Sequence, residues 1–255
     1  MLKSLAKALD VVELLATHRR AMPLAEISRR LKMSKPTLHE ILLTLAMRGF
    51  VERREGGMYQ LGLRAWEVGS AASVEPLIAA SAAVMQKIAA DINEDTALSI
   101  LSGFEIVNVH HVTCGQAVRV YAQVGTRIPA HHAAAGLLLL AHQSDDYIDA
   151  VMPARLEAAT PNTITDPDRL RHEFKRIRAR GYAVNNGGWR IDVAGAAAPV
   201  FNADGAAIAA LCVAAPRYRT NREWMRSTAS VLIDGAATIN DMILNSQAPR
   251  ERLAS

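Results

Sequence analysis

The chain has 255 residues, 50% of them apolar and 21% charged, which allows two domains of ordinary size and excludes a disordered polypeptide. Its formal charge of +4 is unevenly spread: residues 1–64 carry 12 Lys/Arg against 6 Asp/Glu, the remainder 17 against 19. Excess positive charge confined to the leading quarter makes nucleic acid the expected partner of that segment.

Cys114 and Cys212 are far apart and form no paired motif, so a disulfide scaffold is excluded and reduced thiols in the cytoplasm are expected. The start, MLKSLAKALD, lacks the apolar core of a signal peptide. No run reaches the ~18 apolar residues that span a bilayer, and residues 133–141 come nearest. No membrane partner is expected.

In chain order, Ser4 is placed to cap a first helix with Leu5, Leu9, Val12 and Leu15 on its inner side and Val11 and Leu14 widening the stripe toward a subunit contact. A second helix over 24–31 turns Leu24, Ile27 and Leu31 inward and Arg29 and Arg30 outward. Lys32-Met33 leaves a tight turn before a third helix, as in a helix-turn-helix. Ser34 is its N-cap, Pro36 falls in the first turn, and Met33 with Leu38 occupies the positions of a hydrophobic staple. Leu38, Ile41, Leu42 and Leu45 face inward, and Gly49 closes the helix. Ser34, Lys35, Thr37, His39 and Glu40 then lie at the exposed N-terminal end, where a recognition helix meets base edges. Residues 50–61 alternate as a hairpin around Gly56-Gly57. As a wing, the hairpin would bring Arg53 and Arg54 to backbone phosphates. A small helical bundle with a solvated basic face is the competing reading; the order of helix, turn, capped helix and basic hairpin favours DNA.

Residues 63–72 read as another helix containing Trp66, and Pro76 marks its end or the start of the next. A helix over 77–91 precedes three β-rich runs, 96–101, 105–112 and 117–124, separated by glycines. Helices follow over 133–142 and 145–152. A third, capped by Asp166 and stopped at Gly181, carries Leu170, Phe174 and Ile177. Strands are expected over 182–185, 194–201 and 206–215, the last two joined by a tight turn at 202–205. A final helix runs over 221–244. The class is α+β, with a six-stranded, mostly antiparallel sheet flanked by helices.

Enzyme chemistry finds no foothold. Nucleophile-elbow, zinc-helix, dinucleotide and P-loop patterns are all missing, so no catalytic residue and no cofactor are expected. His110-His111 and His131-His132, with Cys114 and His142, invite a zinc reading. Adjacent strand residues point to opposite faces, so spacing alone brings no pair together and no metal is expected. Cys212, in an Ala-Leu-Cys-Val-Ala run, reads as a small apolar residue. The arginines between 169 and 180 alternate with acids and read as a solvated helix face.

These residues together resemble the IclR family of bacterial transcription regulators over nearly the whole chain. The markers are the Ala8-Leu9-Asp10 core of the first helix, residues 24–31 and Ser34-Lys35-Pro36-Thr37-Leu38-His39. Gly49-Phe50-Val51-Glu52-Arg53 and Tyr59-Gln60-Leu61-Gly62 follow. Further on come residues 127–131, 163–166, 180–183 and Ala197-Ala198-Pro199-Val200-Phe201. The resemblance implies a winged helix-turn-helix (1–62), a linker helix (63–76) and a GAF-like effector-binding domain (77–255). It also implies a homodimer or tetramer on palindromic double-stranded operator DNA.

Positions similar to the family's effector pocket are Ala117, Val120, Ala134, Ala135, Asn185, Gly195, Cys212 and Ala214, with His131 on a family motif. Several depart from the family pattern: Asn185-Asn186 stands where acids are frequent, Leu137 where lysine is usual, and Cys212 and Ala214 replace hydroxyls. Trp189 offers an aromatic wall and Arg190 a carboxylate clamp. The expected function is a ligand-responsive regulator, a repressor of a catabolic operon, responding to a small organic acid of aromatic or similarly apolar character. The alternative is a metabolite-binding enzyme with a vestigial DNA-binding head.

Overall fold

The computed structural model describes residues 2–18, 20–70, 74–121 and 123–247, and the chain divides into two compact units, Met1–Glu75 and Pro76–Ser255. The first contains α1 (Lys3–His18), β1 (Met22–Pro23), α2 (Leu24–Leu31), α3 (Lys35–Met47), β2 (Val51–Arg54), β3 (Met58–Leu61) and α4 (Leu63–Ser70). Its core is Val11 and Leu15 from α1, Ile27 from α2, and Leu38 and Leu42 from α3, closed by Met22, Met33, Val51 and Tyr59. The expected inner face of α1 is corrected here. Leu5 and Leu9 are 58% and 52% exposed, and Val11, not Val12, joins Leu15 in the core. The helix meets its neighbours only through its C-terminal half, so apolar spacing nearer the start faces solvent.

The turn between α2 and α3 forces Lys32 into the left-handed region (φ 52°), with its N–H donating to the Ser28 carbonyl. The Ser28 hydroxyl donates to the Met33 carbonyl at 2.6 Å, which satisfies the backbone of a turn too short to do so itself. β2 and β3 pair antiparallel, Val51 opposite Leu61 and Arg54 opposite Met58, and β1 adds a short third strand beside β3. Gly56 and Gly57, at φ 71° and 70°, turn the hairpin in a conformation that a β-carbon would penalise. Of the expected helix over 63–72, residues 63–70 are α4; residues 71 and 72, and 73 beside them, lie outside the described residues.

The second unit contains α5 (Glu75–Ile92), β4 (Thr96–Ser102), β5 (Glu105–Val112), β6 (Arg127–Pro129), α6 (Ala134–Ala141), α7 (Asp145–Val151), α8 (Pro167–Arg180), β7 (Ala183–Asn186), β8 (Val193–Phe201), β9 (Ala207–Pro216) and α9 (Arg222–Gln247). Its six strands run in the order β6-β5-β4-β9-β8-β7, and every neighbouring pair is antiparallel. The third strand is not where its β-rich composition pointed. No strand forms in the described part of 117–124, and Arg127–Pro129 takes the edge position. Val118, Tyr121 and Val124 are exposed, so that run has the propensity of a strand without the burial that supports one, and context decides.

Helices cover both faces. Leu77, Met85 and Ile88 of α5 and Leu232, Ala236 and Ile239 of α9 pack on Leu98, Ala196, Leu211 and Val213. On the other face, Leu137–Leu140 of α6 and Leu170, Phe174 and Ile177 of α8 pack on Ile106, Ala197 and Ala210. Small residues on β8 and β9 let α6 lie close to the sheet. An ideal β-carbon at Gly136 would stand 2.1 Å from the Ala130 carbonyl oxygen. The ends of α8 follow the sequence reading: the Asp166 carboxylate accepts from the Arg169 N–H at 2.8 Å, and Gly181 stops the helix at φ 79°.

Candidate functional site

Two places stand out. In the first unit, Ser34 caps α3 by accepting from the Thr37 N–H, and the two hydroxyls lie 2.8 Å apart. Capping leaves the first turn of α3 on the surface, and Ser34, Lys35, Thr37, His39 and Glu40 are all exposed there. Arg53 and Arg54 are exposed on the wing. Arg54 pairs with Glu52 at 3.1 Å, whereas Lys35 and Arg53 pair with no acid among the described residues. Glu26 is occupied by Arg20 and Arg30 at 2.6 and 3.0 Å, and the Arg20 hydrogen bond holds its carboxyl below the usual carboxylate range. A capped helix end with unpaired cations beside it offers the kind of groups that meet phosphate oxygens and base edges.

In the second unit, the β4-β9-β8 region and the start of α6 line a cavity that is partly open to solvent. Of the expected pocket residues, Val120, Ala134, Ala135, Asn185, Trp189, Gly195, Cys212 and Ala214 line it. Asn185 is fixed at both ends of its amide, donating to the His132 carbonyl at 3.0 Å and accepting from the Gly188 N–H at 2.8 Å. Cys212 donates to the Ala97 carbonyl at 3.3 Å, and burial pushes its thiol up to about 11, so it stays a neutral, mainly apolar wall at ordinary pH.

The other three expected residues do not line the cavity. Ala117 is exposed on the segment that failed to form a strand. Arg190 is half exposed and turned to Asp192, with nitrogen–oxygen distances of 3.3 and 3.0 Å, because an exposed guanidinium takes the nearest carboxylate. His131 is buried against Phe104 and points its Nε2 at the Glu157 carbonyl at 2.9 Å. His132 Nε2 reaches the same carbonyl at 2.9 Å, and the two rings lie 4.2 Å apart. The expectation that adjacent histidines diverge assumed a strand; Ala130–His132 is a 3₁₀ turn, which brings both rings to one side.

Composition gave little sign of the cavity's polar groups. Asp95, Ser99, Asn108 and His111 also line it. The Ser99 hydroxyl donates to Asn108 Oδ1 at 2.7 Å across β4 and β5. In the sequence, His111 invites only a zinc reading, and Asp95, Ser99 and Asn108 carry no signal of their own.

Burial holds the His131 imidazole below the ordinary histidine range, the Glu157 hydrogen bond opposing and His132 adding to the effect. The folded chain therefore keeps the ring neutral while the unfolded chain protonates near ~6.5. As pH falls from neutrality through that value, the unfolded state binds the proton first and stability drops. His131→Gln is expected to flatten the fall in melting temperature between pH 7.5 and 5.5; calorimetry showing an unchanged fall would remove His131 as its source.

A capped, basic-rimmed helix-turn-helix with a wing, joined in one chain to a separate unit holding a mainly apolar cavity, defines the class of DNA-binding transcription regulators. The family description "Bacterial transcriptional regulator IclR C-terminal" matches residues 69–241, and "IclR helix-turn-helix domain" matches residues 4–55. The chain belongs to the IclR family of bacterial transcription regulators. It is 30% identical to the HTH-type transcriptional regulator BhcR of Paracoccus denitrificans over 94% of this chain and 86% of that protein. It resembles the crystal structure of an IclR homolog from Microbacterium hydrocarbonoxydans complexed with 4-hydroxybenzoate, with a TM-score of 0.84 and 27% identity over 95% of this chain and 100% of that one. An IclR-type regulator from Silicibacter sp. TM1040 superposes with a TM-score of 0.79 at 30% identity, over 94% and 96% of the two chains.

Proposed function

We propose that the chain is a repressor of a catabolic operon that releases or re-spaces its grip on DNA when an aromatic carboxylate enters the cavity of the second unit. The observation that carries the reading is the start of α6. Ala133 stands at its N-cap with no side chain to satisfy the first-turn N–H groups, and Ala133, Ala134 and Ala135 line the cavity. Such a helix end favours an anion, while Trp189, Val120 and Ile128 supply apolar walls for a ring. The relative that holds 4-hydroxybenzoate supports this ligand class. With Arg190 tied to Asp192, the helix end takes the clamping role first given to that arginine.

Residues 1–62 read DNA in this proposal, 63–76 link, and 77–255 sense. Lys35, Thr37, His39 and Glu40 read the major groove from α3, with Ser34 placing the helix end and Arg53 and Arg54 neutralising phosphates. Leu2, Leu5 and Leu9 of the first unit are 74%, 58% and 52% exposed, and Trp66 on α4 is 69% exposed. Apolar surface of that kind supports a homodimer, or a tetramer built from it, on a palindromic operator. No described helix is long and apolar enough to cross a membrane, and action on operator DNA in this proposal calls for a cytoplasmic protein.

The test is a gel shift on the DNA upstream of the protein's own gene, with and without benzoate. A retarded band below micromolar protein, altered by the acid, is expected. No band at that concentration would favour the enzyme reading, and a band indifferent to every aromatic acid would discard the ligand class.

A further inference from the structure

The cavity contains a polar pair that neither the DNA-reading face nor the anion-favouring start of α6 uses. Asp95, immediately before β4, is 3% exposed, and the His111 side chain on β5 is 8% exposed. Both line the cavity. Asp95 Oδ1 is satisfied by the Cys114 N–H at 2.8 Å. Asp95 Oδ2 and His111 Nε2 lie 3.2 Å apart but misaligned, and each is buried without a hydrogen-bond partner. Arg119 approaches Asp95 Oδ2 at 3.4 Å and offsets its charge without a hydrogen bond. The edge of the His111 ring contact with Tyr121, centroids 5.1 Å apart, holds the imidazole in place.

An unsatisfied acceptor and an unsatisfied ring nitrogen side by side in a buried wall are costly unless something in the cavity completes them. A hydroxyl does so with one atom, donating to the carboxylate oxygen and accepting from an Nε2–H imidazole. An ionised carboxylate has no proton to donate to Asp95 Oδ2, and an unsubstituted ring would leave both groups without a hydrogen bond. We propose that Asp95 and His111 form a hydroxyl-recognising subsite, so that the effector is a hydroxylated aromatic acid and not its parent acid. The inference deepens the proposed function and rests on its reading of this cavity as the effector site.

The experiment is calorimetric titration of the full chain with two matched pairs, 4-hydroxybenzoate against benzoate and phenol against fluorobenzene. Wild type, Asp95→Asn and His111→Phe are compared. Asp95→Asn retains an oxygen for the Cys114 N–H and replaces the cavity-side acceptor with a donor; His111→Phe keeps the ring against Tyr121. A hydrogen bond to a buried charge is worth about a tenfold gain or more. The hydroxylated member of each pair is therefore expected to bind wild type at least about tenfold tighter, and both variants to bring that ratio near one. Matching melting curves would show that the variants remain folded. If benzoate and 4-hydroxybenzoate bind wild type equally, the subsite is overturned and the aromatic-acid reading stands. If phenol binds with the expected dependence on Asp95 while neither acid binds, the subsite stands and the acid reading falls. If none of the four binds, both fall.

Discussion

Gly136→Ala is expected to lower the melting temperature of the second unit more than a methyl added at any other glycine of that unit. The new β-carbon would lie 2.1, 2.4 and 2.6 Å from the oxygen, α-carbon and carbonyl carbon of Ala130. All three are backbone atoms, so no rotamer change relieves the overlap. α6 and the turn at Ala130–His132 must move apart, and α6 is the helix whose eight residues are all buried. Overpacking of this kind costs roughly 3 kcal/mol, which for a unit of this size is a fall of about 6–12 °C. Gly69→Ala on α4, where a β-carbon meets nothing within 4 Å, serves as the control and should be neutral or mildly stabilising. Differential scanning calorimetry reads both, and equal melting temperatures for the two variants would show that α6 does not sit against that turn. Because α6 also opens onto the cavity, the Gly136 variant should lose response to any ligand at temperatures where it remains folded.

Arg53→Ala should have the largest effect on DNA. The side chain is exposed on the wing and free of acids among the described residues, so removing it is expected to delete the proposed phosphate contact without freeing a buried partner. The slope of log affinity against log salt is expected to flatten by ~0.9 per contact, and affinity near 0.1 M salt to fall by roughly an order of magnitude on all sequences alike. Arg54→Ala should do less, because Arg54 already pairs with Glu52. His39→Ala should shift base preference and leave the salt slope alone. Fluorescence anisotropy across a salt series separates these outcomes, and an Arg53→Ala slope equal to wild type would take the wing off the duplex.

The contrast between these sites tracks how far apart in sequence the deciding contacts lie. The exposed end of α3 is local: the Ser34 cap, Pro36 in the first turn, the tight turn at Lys32-Met33 and the Gly56-Gly57 hairpin all act within a few residues, so they were legible. So were five of the six strands and the caps of α8, for the same reason. The cavity is not local. Trp189, Asn185, Cys212 and Val120 come from separate segments that only the sheet order β6-β5-β4-β9-β8-β7 brings round one space. Resemblance located most of that wall. It could not show that Arg190 prefers Asp192, that His131 turns to Glu157, or that Asp95 Oδ2 and His111 Nε2 are buried in the cavity wall without a hydrogen bond.

What the sequence determined by itself is the helix-turn-helix with its wing, the α+β class and the ends of the main helices, since capping groups, glycine conformations and apolar period act over one or two turns of chain. Tertiary structure alone decided which half of α1 is buried, that Arg127–Pro129 and not the run at 117–124 forms the edge strand, and which polar groups line the cavity. Those outcomes turn on partners distant along the chain: a strand needs a neighbour to satisfy its amides, and a buried carboxylate acquires a direction only when the strands around it are in register.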